Sequence, residues 1–315
     1  MINFPGFGGG GLSEIMLLNL EKSQYHGGEK VKGYLTITSN KDVDSRAFRF
    51  IVEGKEETKI TVSEPYSSSS SSSSNSNYSN EYRNVTYTSS NVFFFQDLVE
   101  FLKGNSLIDI EKGRNGKETV IRKGKTEIPF EFIIPNNTLS SYSGKNAWIT
   151  YSVKTTIDKK MRIDENSSIT FDVISQYDNS NISSRPISVS TFKANDLALK
   201  LDLDKSVYYI GDTIRGTINV KKLNPDIDIR GTEILLISLE KAIASNRTVE
   251  TKLYENKYKI TDWKEKQNCP FEIDIPQIVT RSYRGRYSEI VWEIKAKVDL
   301  PLSQDLNAEA IIEIK

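Results

Sequence analysis

The chain has 315 residues, room for two domains of ordinary size, and its 42 Lys and Arg balance 42 Asp and Glu. That balance supplies no general attraction for nucleic acid. A single cysteine, Cys269, excludes an internal disulfide and a cysteine-rich metal site, and no uninterrupted apolar run approaches the ~20 residues that cross a bilayer.

Residues 1–12 are Gly-rich and read as a flexible leader, with no basic segment to make a signal peptide. Leu18 and Leu20 then alternate with Asn19 and Glu21, the period of a half-buried strand. Within it, Leu17-Leu-Asn-Leu-Glu21 fits the pattern of a clathrin-binding peptide but falls in a strand expected to face the core. Lys22-Ser-Gln-Tyr-His-Gly-Gly-Glu-Lys-Val-Lys-Gly33 follows, and the chain repeats it as Lys205-Ser-Val-Tyr-Tyr-Ile-Gly-Asp-Thr-Ile-Arg-Gly216. The offset is 183 residues throughout, from Lys22 to Lys205, without a gap. Each copy reads as strand, glycine turn, strand, with Val31, Gly33, Leu35 and Ile37 matched by Ile214, Gly216, Ile218 and Val220 on one face.

Phe48, Phe50 and Val52 alternate as a further strand. The unbroken serine run from Ser67 to Ser74 has no apolar side chain to offset its ordering entropy, so a disordered Ser/Asn insert is expected over about 64–90. Phe95, Leu98, Val99 and Leu102 fall at helical spacing, which reads as a short amphipathic helix near 95–103, with a strand as the alternative. Between Lys103 and Lys125 basic residues outnumber acidic ones. Lys112, Arg114, Lys117, Arg122, Lys123 and Lys125 are the candidate surface for anionic lipid or a phosphorylated tail, against the plain reading of a solvated loop.

A second shared block closes each half. Pro129-Phe-Glu-Phe-Ile-Ile-Pro135 matches Pro270-Phe-Glu-Ile-Asp-Ile-Pro276, and Tyr142-Ser-Gly144 matches Tyr283-Arg-Gly285, at a constant offset of 141 from Pro129 to Pro270. Ile149, Tyr151, Val153 and Ile157 match Ile290, Trp292, Ile294 and Val298. The two offsets differ by 42 residues, which is extra material between the blocks of the first half. Duplication explains matched Pro, Gly and Tyr positions, which strand alternation alone does not. Tyr25, Gly33, Phe130, Tyr151, Gly216, Phe271 and Trp292 read as structural. A polar segment before Pro186 reads as a linker over 177–188, between a first domain at 13–176 and a second at 189–315 whose last strand ends the chain.

Catalytic chemistry is missing. His26 is the one histidine and sits in a turn, so a Ser-His-Asp triad or a Cys-His dyad depends on it alone. No metal-ligand spacing occurs, and Gly113-Arg-Asn-Gly-Lys-Glu-Thr119 lacks the spacing of a phosphate loop. The chain reads as non-enzymatic, without cofactor or metal.

The two blocks resemble the arrestin superfamily, whose halves open with Tyr-x-x-Gly-Glu-x-Val-x-Gly, here Tyr25 to Gly33, and whose first half carries Pro-Phe-x-Phe-x-Ile/Leu-Pro before Tyr-x-Gly, here Pro129 to Pro135 and Tyr142 to Gly144. The resemblance runs from Ile15 to Ile314 and is greatest to the α-arrestins. It implies an all-β chain of two tandem antiparallel β-sandwiches, immunoglobulin-like in kind. It also implies a cytoplasmic adaptor, peripheral on the endosomal or plasma membrane, that links membrane cargo tails to trafficking or ubiquitin machinery. Its partners would be proteins and an anionic membrane surface, not nucleic acid. The chain has no Pro-Pro pair for a Pro-Pro-x-Tyr motif, and Thr170 stands where receptor-binding arrestins carry a phosphate-sensing Arg. The alternative implied by a tailless two-sandwich chain is a stable coat subunit of the retromer class in endosomal sorting.

Overall fold

A computed structural model of the chain describes residues 14–66, 81–113, 116–159, 162–175, 184–193, 196–260, 268–301 and 303–315. In chain order the first eleven strands are β1 (Glu14–Leu20), β2 (Gln24–His26), β3 (Lys30–Ser39), β4 (Val43–Tyr66), β5 (Glu81–Asp97), β6 (Ile108–Gly113), β7 (Gly116–Ile121), β8 (Gly124–Ile133), β9 (Tyr142–Ser143), β10 (Ala147–Lys159) and β11 (Glu165–Ile174). They make a three-stranded sheet, β1-β3-β8, and an eight-stranded sheet of order β2-β11-β10-β4-β7-β6, with β5 paired to β4 and β9 to β10. The next ten are β12 (Ile187–Lys193), β13 (Leu197–Leu203), β14 (Val207–Tyr208), β15 (Thr213–Lys222), β16 (Gly231–Ala244), β17 (Arg247–Ile260), β18 (Asn268–Asp274), β19 (Tyr283–Arg284), β20 (Ser288–Asp299) and β21 (Leu306–Ile314). These make a four-stranded sheet, β12-β13-β15-β18, and a six-stranded sheet, β14-β21-β20-β16-β17 with β19 on β20. The all-β, two-sandwich expectation holds.

The repeats have the same joints. Gly33 lies opposite Phe130 in the β3–β8 ladder, and Gly216 lies opposite Phe271 in the β15–β18 ladder. A Cβ on Gly33 would stand 2.6 Å from Phe130 Cζ and 2.4 Å from Asn19 O; on Gly216 it would stand 2.5 Å from Phe271 Cζ and 2.6 Å from Asp202 O. Each glycine is therefore the floor on which the phenylalanine of the closing block lies, and this is why the two blocks recur together. The turns match as well, with Gly28 at φ 79° and Gly211 at φ 85°, a region that a side chain disfavours. Glu29 accepts from the His26 N–H and Asp212 from the Tyr209 N–H. Lys22 pairs with Glu29 and lies over the Tyr25 ring; Lys205 does the same with Asp212 and Tyr208. Tyr25, Phe130, Tyr151, Phe271 and Trp292 are all buried, as their structural reading requires.

The chain divides into two compact units, with one boundary between Gln176 and Tyr177 and two earlier segments of the chain assigned to the second unit. The first takes Met1–Lys55, Val92–Tyr142 and Ile149–Gln176; the second takes Glu56–Asn91, Ser143–Trp148 and Tyr177–Lys315. The far part of the β4–β5 hairpin thus belongs to the second unit. The insert expected at about 64–90 is correspondingly shorter. β4 continues to Tyr66 and β5 begins at Glu81, so 64–66 and 81–90 are strand. Polar residues there bond across the hairpin, Thr61 Oγ1 to Thr86 Oγ1 at 3.0 Å and Ser63 Oγ to Asn84 Oδ1 at 2.7 Å. Ile60 is buried against Ala242 and Ala244, with Tyr87 and Val249 packed around them. The serine run, the leader at 1–12 and residues 177–183 of the linker lie outside the described residues.

Near 95–103 both readings cover part of the chain. β5 runs to Asp97, whose carboxylate accepts from the Val99 N–H at 2.8 Å, and a single 3-10 turn follows over Val99–Leu102. Leu98 and Leu102 are fully buried, while Phe95 is left exposed. Among the described residues no helix is long and apolar enough to cross a membrane.

Candidate functional site

The basic segment folds into the β6–β7 hairpin, the Arg122-Lys123 link and the start of β8. In the hairpin, Lys112 lies opposite Lys117 and Glu111 opposite Glu118. Four strand steps, about 13 Å, separate Lys117 from Ile121. The six residues therefore do not make one compact cluster, and Arg114 lies outside the described residues.

Arg122 is anchored rather than free. Its N–H donates to Leu107 O at 2.8 Å, and its guanidinium lies 3.5 Å from Asp42 and 4.0 Å from Asp109. Asp42 also accepts from the Lys123 N–H at 2.8 Å, which fixes the bend between β7 and β8. The Lys123 and Lys125 side chains are exposed. Lys125 stands opposite Thr38, and Thr38 opposite Ile15, so it shares the outer face of the three-stranded sheet with Ile15 and Leu17, which are 41% and 55% exposed. Further along this face Lys30 is paired to Glu131 at 2.8 Å, and the hydrogen bond from Lys30 holds the Glu131 carboxyl below its ordinary range. The structure thus leaves Lys123 and Lys125 exposed, pairs Lys112 with Lys117 in the β6–β7 ladder, and sets Arg122 beside two carboxylates.

The clathrin-like peptide is a ladder strand. All seven residues of β1 pair with β3, and Leu18 is buried while Leu17 points out. It is held in the ladder rather than free.

His26 belongs to the first unit and Cys269 to the second. Among the described residues no group of His, Cys, Asp and Glu is placed to hold a metal ion.

Two residues the sequence reading passed over are Glu56 and Glu240, both fully buried. Each stands on the strand after its repeat's glycine, Gly33 or Gly216, at nearly the same distance along the chain. That matched spacing was the available signal, hidden because the one-residue difference breaks the ungapped register.

A sequence model of the family described as Arrestin (or S-antigen), N-terminal domain, matches residues 16–180, more than half of the chain. No curated protein matches it.

Proposed function

Because the chain belongs to the arrestin family, whose members are in general non-enzymatic protein-binding adaptors, we propose that it is an adaptor joining membrane cargo to trafficking machinery on the cytoplasmic side of a membrane. The family match over residues 16–180 carries this reading. The two-sandwich fold agrees with it. Lys125, exposed on the same sheet face as the apolar Ile15 and Leu17, and the exposed Lys123 two residues before it supply the contact with anionic headgroups. Each lysine near an anionic bilayer contributes about 1 kcal/mol, and the attraction fades over a Debye length of about 8–10 Å at physiological salt.

Flotation with phosphatidylserine-containing liposomes at low salt tests the surface. Wild type should float with the vesicles, and K123E/K125E should lower its partition by roughly 30-fold or more, since at least two favourable terms of about 1 kcal/mol are lost. Neutral liposomes should retain neither protein. A wild type that stays in the soluble fraction with anionic vesicles would remove the membrane contact from the proposal.

A further inference from the structure

The second unit contains a closed ring of contacts built from matched parts of the two repeats. Glu56, on β4, accepts the Arg286 N–H on Oε2 at 2.9 Å. Its Oε1 accepts the Tyr287 N–H at 3.0 Å, the Ser288 N–H at 2.8 Å and the Ser288 hydroxyl at 2.7 Å. Glu240, on β16, accepts the Lys145 N–H on Oε2 at 3.1 Å. Its Oε1 takes the Asn146 N–H at 2.8 Å and the Asn146 side-chain amide at 3.1 Å. The two turns are themselves equivalent, closed by Gly144 N–H to Ala147 O at 2.9 Å and Gly285 N–H to Ser288 O at 2.8 Å. A Cβ on Gly285 would come within 2.2 Å of Glu56 Oε1, so the carboxylate occupies the space that glycine leaves.

The same two strands hold the opposite polarity of each turn. The N–H of Lys59, three residues past Glu56, donates to Asn146 O at 2.9 Å; the N–H of Ile243, three residues past Glu240, donates to Tyr287 O at 2.7 Å. Each turn is therefore gripped by its amides from one strand and by its carbonyl from the other. Thr58 Oγ1 donates to Ile243 O at 2.7 Å and ties the two strands directly. The arrangement is self-complementary, as in a two-fold interface where each side gives what it receives.

We propose that Glu56 and Glu240 are a paired latch that opens in one step, releasing the turns at 145–146 and 286–288 together. A buried carboxylate loses several kcal/mol of hydration and is tolerated when charge-assisted hydrogen bonds replace it. Releasing one turn alone would strip its buried carboxylate of those donors and take the acceptor from the N–H of Lys59 or Ile243 on the other strand, and a partly satisfied network costs more than a closed or a fully hydrated one. The strands make that coupling physical, since moving β4 withdraws Glu56 from one turn and Lys59 from the other at once. The β4–β5 hairpin thereby becomes a lever. A partner that pulls it moves both turns, whatever the partner is.

Residue-resolved amide exchange tests the latch. Glu240→Gln puts an amide NH2 where an acceptor stood, so the Lys145 and Asn146 amides should exchange about 10- to 100-fold faster. The latch requires the Arg286, Tyr287 and Ser288 amides to speed up with them, and Glu56→Gln to do the same in reverse. Acceleration confined to the variant's own turn overturns the proposal. Should either variant also loosen Leu201 and Ile218 in the sheet core, the wild type in mild denaturant decides. Its five turn amides should then share one opening equilibrium and one denaturant dependence, and opening constants more than about tenfold apart would refute a single step.

Discussion

The interior of the first repeat is aromatic and that of the second is mostly aliphatic. In the first, Tyr25 and Phe50 meet Phe171 and Phe130 edge to face at 5.7 and 5.1 Å, and Tyr151 and Phe132 close on Phe171 at 5.8 and 5.9 Å. In the second, Trp292 meets one ring, Tyr254 at 5.6 Å, and the other buried residues include Leu199, Leu201, Ile214, Ile218, Ile234, Leu236 and Ile312. Yet the glycine under the phenylalanine, the lysine over the tyrosine and the positive-φ glycine of the turn recur in both. Filling a core needs volume and low-energy rotamers, which many residue sets provide. A joint where an added Cβ would stand under 3 Å from a ring admits glycine and little else, so duplication leaves its trace at the joints.

The largest test of that contrast is the matched pair Tyr151 and Trp292. Both are buried on the central strand of their larger sheet, opposite Phe171 and Ile312, and each polar tip has a partner: the Tyr151 hydroxyl with Thr138 at 2.6 Å and with Leu139 O, the Trp292 N–H with Thr280 O at 2.9 Å. Truncation to Ala should cost about 3–5 kcal/mol in either repeat. Tyr151 meets two rings, Phe93 and Phe171, where Trp292 meets Tyr254, and each ring contact adds about 0.5–1.5 kcal/mol. Tyr151→Ala should therefore fall at the upper end of that range despite the smaller ring. Chemical denaturation of the two variants measures this; a clearly smaller loss for Tyr151→Ala would mean the aromatic set packs no better than the aliphatic one.

A smaller effect should change sign between repeats. Counting back two residues from the latch glutamates, Gly54 corresponds to Ser238. A Cβ on Gly54 would meet Tyr151 Cε1 at 2.8 Å and Phe93 Cε2 at 2.9 Å, so Gly54→Ala overpacks the aromatic core by about 1–3 kcal/mol. Ser238 lies opposite Trp292 with a buried hydroxyl that finds no hydrogen-bond partner among the described residues, so Ser238→Ala should stabilise by about 1 kcal/mol. Thermal midpoints moving in opposite directions would confirm that equal positions carry opposite constraints; two shifts of the same sign would end the correspondence.

The joints were legible in the sequence because each is local or nearly so. Gly28 and Gly211 announce a turn, and Gly33 with Phe130 announces itself through recurrence as Gly216 with Phe271. Alternation placed Leu35, Tyr151 and Trp292 in the core from period alone. What the sequence concealed were pairings fixed at long range. Thr61, Ser63, Asn84 and Thr86 look like loop composition, and they become strand because each finds its partner across the hairpin and Ile60 finds Ala242 and Ala244. Glu56 and Glu240 look like two solvated charges among 42 acidic residues until the amides of Arg286 and Lys145 close on them. In the basic segment, alternation and charge alone do not show that Arg122 lies beside Asp42 and Asp109, of which Asp42 comes from the turn before β4.

The smallest difference between the repeats is electrostatic, at the turn itself. The Glu29 carboxyl is held below its ordinary range chiefly by the hydrogen bond from Lys22, then by the His26 N–H. For Asp212 partial burial is the largest influence and pushes upward, but the hydrogen bonds from Lys205 and the Tyr209 N–H together outweigh it, and the net shift is downward. Both groups have folded values below their unfolded ones. Each therefore stabilises the fold above the ordinary carboxylate range and loses that contribution as pH falls through its folded value. Carboxyl-carbon NMR titration should show both midpoints below the usual ~4.3 for Glu and ~3.9 for Asp. Removing the lysines separates them. Lys22→Ala should bring Glu29 back toward its ordinary value from below, because the His26 N–H still acts. Lys205→Ala should carry Asp212 further upward, to its ordinary value or past it, because burial then meets a single hydrogen bond. Equal displacements in the two variants would show that the turns are electrostatically identical, and that the partial burial of Asp212 contributes nothing to its titration.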